Sequence, residues 1–445
     1  MGLTAILRVA TLLCLLAPLA LKAQSVTAGF GGVGTLGSSL DQSARVPNMF
    51  FLGMATSASY DTNAANTHNN TPTSEYTLYP QFWLSLSRPR WTSSLTYMPG
   101  VSYSTSDIPS YNAVSQMFGA AFQYRATKRL TFSLFNSFVS SSNPFDSLHA
   151  TSALPQFGTL STPTAVAWDY LPKTNEQAAV DATYDLSART KVQVGGAYNY
   201  LSYQEGSGAN QFGSAFQQSN SGQFTVGVFR ASGAHFSSGV QYMAQQLDAG
   251  HGQVRTGAQT VGYLLQYSPR ASLQMSGIIG PQYVDTTFNL TAGGGAIASQ
   301  LNERGAGWSW MGGGTVSWTR GRSGLSASLI RQLSLGNQYQ GAVRQTLANL
   351  QIEQQFSKQT TLSTFVGYNI NEPPFATGGS NRLSNNYLSA GTGVSRKFGD
   401  KWTLSATYWY LQQQRSLRSD NSYYSGDHNR VAFSLSYLIA KPVRR

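Results

Sequence analysis

From about residue 47 onward the chain alternates between apolar and polar positions with a period of two. Leu78, Phe82, Leu84 and Leu86 interleave with Tyr79, Gln81, Trp83 and Ser85. The same rhythm runs through Leu130, Phe132, Leu134 and Phe138, through Val192, Val194, Tyr198 and Tyr200, and through Trp402, Leu404, Ala406 and Tyr408. It closes with Val431, Phe433, Leu435, Tyr437 and Ile439. Successive side chains of a strand point to opposite faces, so each segment carries one apolar face and one small or polar face. The pattern predicts strands of roughly ten residues or more.

The connections also alternate. Short turns carry Gly or basic residues: Arg88-Pro89-Arg90, Thr127-Lys128-Arg129, Ser187-Ala188-Arg189, Ser232-Gly233, Pro269-Arg270, Arg320-Gly321-Arg322, Ser357-Lys358-Gln359 and Gly399-Asp400-Lys401. Longer polar loops fall between them, near 61–73, 105–113, 141–175, 204–215, 248–253, 286–307, 336–341, 372–384 and 416–427. Short turns on one side and long loops on the other are the sidedness of a transmembrane barrel. The eight turns define sixteen strands; one more precedes them near 47–60 and one follows near 428–440, giving about 18, with 16 the alternative. The fold expected is all-β: a transmembrane antiparallel up-and-down barrel with both termini on the periplasmic side.

The first residues differ from the rest. Arg8 precedes a stretch from Val9 to Leu21 broken only by Thr11 and Pro18, and Ala23-Gln24 offers a cleavage site. The run is too short for a bilayer span and predicts a secretory signal peptide over residues 1–23. Residues 24–45, rich in Gly and Ser, are expected to form a flexible periplasmic segment, 46–440 the barrel, and 441–445 a short basic tail. Gly31-Gly32-Val33-Gly34 lacks the Lys-Ser/Thr and the βαβ setting of a phosphate loop. No later segment is apolar for the 18 residues a membrane helix needs.

Composition narrows the classes. Only 11% of residues are charged, while Gly, Tyr and Phe are plentiful. A soluble sandwich of this length would need several domains and a charged outer face, and burying the Ser/Thr/Gln face would leave it unsatisfied. The net charge is +12, yet the bases recur at turn tips and form no single run, so nucleic acid is not an expected partner. The sole cysteine, Cys14, lies in the expected signal, which excludes disulfides and thiol chemistry from the exported chain.

Little points to catalysis. Five histidines, His68, His149, His235, His251 and His428, fall in predicted loops or at strand ends, and no His-x-His or His-x-x-x-His occurs. Asp427-His428 reads as a solvated loop pair, since a general base needs an oriented nucleophile. No cofactor, metal or catalytic residue is expected. The informative residues are charges inside strands: by alternation Arg125, Asp181, Asp185 and Glu353 point into the lumen, either as a constriction that selects solutes or as a satisfied hydrated wall. Trp83 and Trp409 have inward parity and are candidates for stacking sugars, while the other tryptophans suit interfacial girdles. Arg331 has the outward parity of Leu329 and Leu333, which predicts a bulge or a place near the rim. Arg88, Arg90, Lys128, Arg129, Arg189, Lys191, Arg270, Arg320, Arg322, Lys358, Lys397 and Lys401 are expected to make a positive periplasmic rim.

On the signal segment, the hairpin rhythm and the last strand, the chain resembles bacterial outer-membrane porin-type β-barrels over about residues 46–440. Phe433, Leu435 and Tyr437 match the alternation of the final strand, where such barrels carry their assembly signal. Lys441-Pro442-Val443-Arg444-Arg445 departs from the terminal aromatic of that pattern. Length and Gln- and Tyr-rich strands also resemble the barrel porins found with exopolysaccharide secretion systems. The resemblance implies an outer-membrane location, lipid and the barrel-assembly machinery as partners, and passage of hydrophilic solutes. The narrower resemblance implies polysaccharide and periplasmic export proteins as partners. A hydrolase at the barrel rim is the alternative from another class.

Overall fold

The computed structural model describes residues 48–63, 72–105, 114–141, 173–203, 218–250, 254–288, 304–335, 342–372, 385–416 and 423–442. The expected signal peptide, the 24–45 segment and the tips of the long loops, with His68, His149 and His251, lie outside these residues. Eighteen strands follow one another: β1 (Met49–Asp61), β2 (Thr73–Ser87), β3 (Trp91–Ser104), β4 (Val114–Arg125), β5 (Leu130–Ser141), β6 (Lys173–Asp185), β7 (Thr190–Tyr203), β8 (Gln218–Ala231) and β9 (Phe236–Ala249). The second half comprises β10 (Val254–Arg270), β11 (Leu273–Phe288), β12 (Arg304–Arg320), β13 (Ser323–Leu335), β14 (Ala342–Gln355), β15 (Thr360–Glu372), β16 (Asn385–Phe398), β17 (Trp402–Ser416) and β18 (Tyr423–Pro442). Every strand pairs antiparallel with its neighbours in sequence, and β1 pairs with β18, from Met49↔Pro442 to Asp61↔Arg430. The sheet is therefore closed and has no edge strand, which is how a sheet spans hydrocarbon with its backbone satisfied. The last strand runs into the expected tail, through Lys441 and Pro442.

Seven of the eight predicted turns connect consecutive strands where expected, at one end of the barrel; the eighth is shifted, since Pro269 and Arg270 end β10 and Ala271-Ser272 make the turn at that same end. Three of them share one device. The hydroxyl of Thr127 accepts from the backbone N–H groups of Arg129 and Leu130 at 3.1 and 3.0 Å. Ser187 does the same for Arg189 and Thr190, and Ser357 for Gln359 and Thr360. Such hydroxyl turns satisfy amides that the ladder leaves over. Gly321 and Gly399 supply the left-handed backbone, with φ of 67° and 62°, at two tighter turns.

Alternation sorts the two faces cleanly. On β6, Val180 is 51% exposed and Asp181, the next residue, 2%. Leu52, Met54 and Tyr60 on β1, Val228 on β8 and Phe433 and Leu435 on β18 are likewise exposed on the outside. An apolar band of this extent is untenable in water and is matched by acyl chains. The inner face carries hydroxyls and amides that bond across strands: Thr256 to Thr286 at 3.0 Å, Ser276 to Thr315 at 2.7 Å, and Gln282 donating to Thr260 at 3.1 Å.

One stretch leaves the wall. The β12–β13 ladder runs only from Arg320↔Ser323 to Gly312↔Arg331, nine pairs, whereas β12 pairs with β11 as far as Arg304 and β13 with β14 as far as Leu335. Residues 304–311 of β12 thus have no partner on the β13 side among the described residues. Neither ladder of β13 contains a bulge at Arg331. Its outward parity is resolved differently: it occupies the last rung before the strands part.

Candidate functional site

Among the described residues, polar side chains from strands around the barrel face its interior. Asp181 stands on the inner face of β6 and accepts a hydrogen bond from Gln193 Nε2 on β7 at 3.2 Å. Its other carboxylate oxygen has no hydrogen-bond partner among the described residues. Asp185 ends β6 at the short-turn end and faces Lys191 directly across the β6–β7 ladder, at 3.7 Å. Both side chains are well exposed, so this pair is solvated and screened. Lys191 is accordingly a strand residue engaged with a carboxylate rather than a free turn-tip base.

Arg125 ends β4 and is exposed, with its backbone N–H donating to Arg90 O at 2.7 Å. Glu353, also exposed, sits near the same end of the barrel on β14, opposite Gly324 and Ser363. Arg125, Asp185 and Glu353 therefore lie at the short-turn end, on strands well separated around the wall, while Asp181 stands about 13 Å farther along its strand. The four do not meet in one constriction ring.

The two inward tryptophans are held by other rings. Trp83 stacks on Phe51 of β1, centroids 4.3 Å apart and planes at 20°. Trp409 meets Phe365 edge-on at 6.1 Å. Gly391 lies between them in register, opposite both Phe365 and Trp409. A Cβ there would come within 2.4 Å of the Phe365 ring, so glycine is what admits that contact.

A second cluster escaped the sequence reading. Where β18, β1 and β2 close the barrel, Arg430 donates through Nη2 to Glu75 Oε2 and to Ser59 Oγ, each at 2.9 Å. His428 Nδ1 stands 3.5 Å from Asp61 Oδ1, and a second Asp61 contact is the N–H of Asn63 at 2.9 Å. These side chains are buried. This corrects the expectation for His428: it is a strand residue, 2% exposed, not part of a solvated loop, and alternation puts its neighbour Asp427 on the opposite face. The signal that finds this cluster is parity, since Glu75 shares the face of Trp83, and Arg430 that of His428. His235 is in the β8–β9 turn, exposed, with Nδ1 2.9 Å from Ser268 O. Among the described residues no group of three or more His, Cys, Asp or Glu side chains is arranged to hold a metal ion.

Closed sheet, strand number, apolar outer band and polar inner face together fix the architecture. It is a closed 18-stranded antiparallel β-barrel. No protein-family model matches the chain, and no curated protein does. Among solved structures, OccAB2 of Acinetobacter baumannii is 10% identical with a TM-score of 0.42, over 88% of this chain and 98% of its own. OpdK of Pseudomonas aeruginosa, solved with vanillate, is 12% identical with a TM-score of 0.43, over 88% and 99%. A bacterial polysaccharide outer membrane secretin is 9% identical with a TM-score of 0.34, over 88% and 99%. Likenesses of this size name no solute for the present barrel.

Proposed function

We propose that this barrel is an outer-membrane channel that passes hydrophilic solutes through its interior. The observation that carries the reading is the division of faces in a closed sheet: hydroxyl, amide and a few charged side chains inside, interrupted by apolar patches, and a band of aliphatic and aromatic side chains outside. A wall of this kind lowers the cost of moving a hydrated solute between two aqueous spaces and offers it hydrogen bonds on the way. On this reading the short basic turns face the periplasm, as the short turns of outer-membrane barrels do.

A dedicated polysaccharide track gains no support from Trp83 and Trp409, because Phe51 covers one ring face of the first and the edge of Phe365 meets the second. The test is electrical. Purified protein that shows heat-modifiable migration, the mark of an intact barrel, is added to a planar bilayer. Stepwise ohmic currents that scale with salt concentration are expected; intact barrels that carry no current would overturn the channel reading.

A further inference from the structure

The parting of β12 from β13 has a counterpart inside the barrel. On β13, Leu325, Ala327 and Leu329 face outward, and Leu333 has the same parity. On β14, Leu350 and Ile352 face outward, and Ala342 has theirs. Leu333 and Ala342 belong on the membrane side, yet both are buried, Leu333 at 4% exposure. They pack with Leu201 of β7, Leu247 of β9, Ala258 of β10 and Val284 of β11, whose parity is inward. Gln245 Nε2 of β9 reaches Leu333 O at 3.5 Å. Arg344, another outward position of β14, reaches Ser309 Oγ on the inner face of β12 at 3.5 Å. The outer face of one hairpin end thus lies against the inner face of its neighbours. The ends of β13 and β14 have slipped under β9–β12, and the lumen on that side is filled by them.

We infer that the β13–β14 end is a two-position gate, a reading that rests on the channel function proposed above. In the tucked position it occupies lumen and leaves the β12 edge bare. In the zipped position the ladder continues in its existing register, Gln332 opposite Met311, Leu333 opposite Trp310 and Ser334 opposite Ser309, and the occupied lumen is released. Two opposed terms separate the positions. Tucking buries Leu333 and Ala342 against an apolar patch; zipping satisfies backbone groups along β12 and β13. Arg331 is the hinge-side latch: its guanidinium lies 4.7 Å from the Trp310 ring centroid and donates to Thr346 Oγ1 at 3.4 Å, which holds the last rung while the strand beyond it is free to leave. Trp308 and Trp310 are both strongly exposed, so the parted seam opens at an aromatic level of the outer wall, where water and headgroups satisfy bare backbone more readily than acyl chains do.

Two cysteine pairs test this. Ser309→Cys with Ser334→Cys joins positions that meet only in the zipped ladder; Leu247→Cys with Leu333→Cys joins positions that meet only in the tucked cluster. Cys14 is the chain's only cysteine, so the background is clean. In intact barrels the first pair is expected to cross-link on oxidation and to raise single-channel conductance by about twofold or more, reversed by reductant, because pore cross-section limits the current. The second is expected to hold conductance at or below that of the parent. Failure of the first pair to cross-link in heat-modifiable protein, or cross-linking with unchanged conductance in a conducting barrel, would overturn the gate. If the parent and both variants carry no current, the channel reading fails instead, and the yield of the first cross-link still decides whether the hairpin moves.

Discussion

Arg430 of β18 bonds Glu75 of β2 at 2.9 Å, reaching across the whole width of β1. The two residues are 355 positions apart in the chain, and they meet only because the barrel has closed. Ser59, on the strand between them, takes a second bond from the same guanidinium. The pair therefore reports closure itself, and both charges are buried.

Breaking a buried pair leaves one charge uncompensated, which typically costs about 3–5 kcal/mol, while removing both charges costs much less. Glu75→Gln and Arg430→Met are each expected to lower stability by an amount of that order. The double variant should recover a large part of the loss, which makes the coupling visible as a double-mutant cycle. Denaturant unfolding in lipid vesicles, followed by heat-modifiable migration, measures it. Equal and additive losses would show that the contact contributes nothing of its own.

Gly391 offers a steric test. Opposite Phe365 on one side and Trp409 on the other, it has no room for a methyl group. Gly391→Ala forces one ring aside, and overpacking of this kind costs about 1–3 kcal/mol. The unfolding midpoint should fall, and the tryptophan emission of the folded barrel should change relative to a variant that also carries Trp409→Phe. No change in either would mean that the rings have slack.

The two faces of β6 make opposite predictions. Val180 looks outward and Gln177, three residues earlier, looks inward. Val180→Lys should destabilise the barrel by about 2–4 kcal/mol if it lies near the bilayer middle, whereas Gln177→Lys should stay within about 0.5 kcal/mol. Vesicle unfolding of the two variants side by side is the measurement; equal costs would contradict the assignment of faces.

Much of the fold was legible because it is local. Alternation names the faces, and the Gly, Pro, Ser and basic residues of 88–90, 187–189 or 320–322 mark where the chain reverses. The contacts inside the barrel were not legible for the opposite reason. Asp61 and His428 read as loop residues because polar neighbours follow or precede them, but their strands extend that far once they pair with each other. Leu333 shows the deeper limit. Parity says which face of a strand a residue occupies; it does not say that the strand stays in the wall. Arg331 and Arg344 carried the hint, as charges where lipid-facing residues were due.

The short-turn rim gives the last prediction. Arg88, Arg90, Lys128, Arg129, Arg189, Arg270, Arg320, Arg322, Lys358 and Lys401 all sit at this end, and only a few carboxylates, among them Asp185 and Asp400, accompany them. Asp185 is already committed to Lys191. A ring of like charge at a pore mouth raises the local concentration of counter-ions, and salt screens the effect over a Debye length of about 8 Å near physiological ionic strength. The channel should therefore prefer anions in dilute salt and lose most of that preference near 1 M, where the length falls to about 3 Å. Replacing Arg88, Arg90, Lys128 and Arg129 together by Gln should shift the reversal potential in a salt gradient toward zero without changing the heat-modifiable migration of the barrel. A parent channel that prefers cations in dilute salt would show that the inner carboxylates, Asp181 foremost, outweigh the rim, and the same gradient measured on Asp181→Asn would then identify the controlling charge.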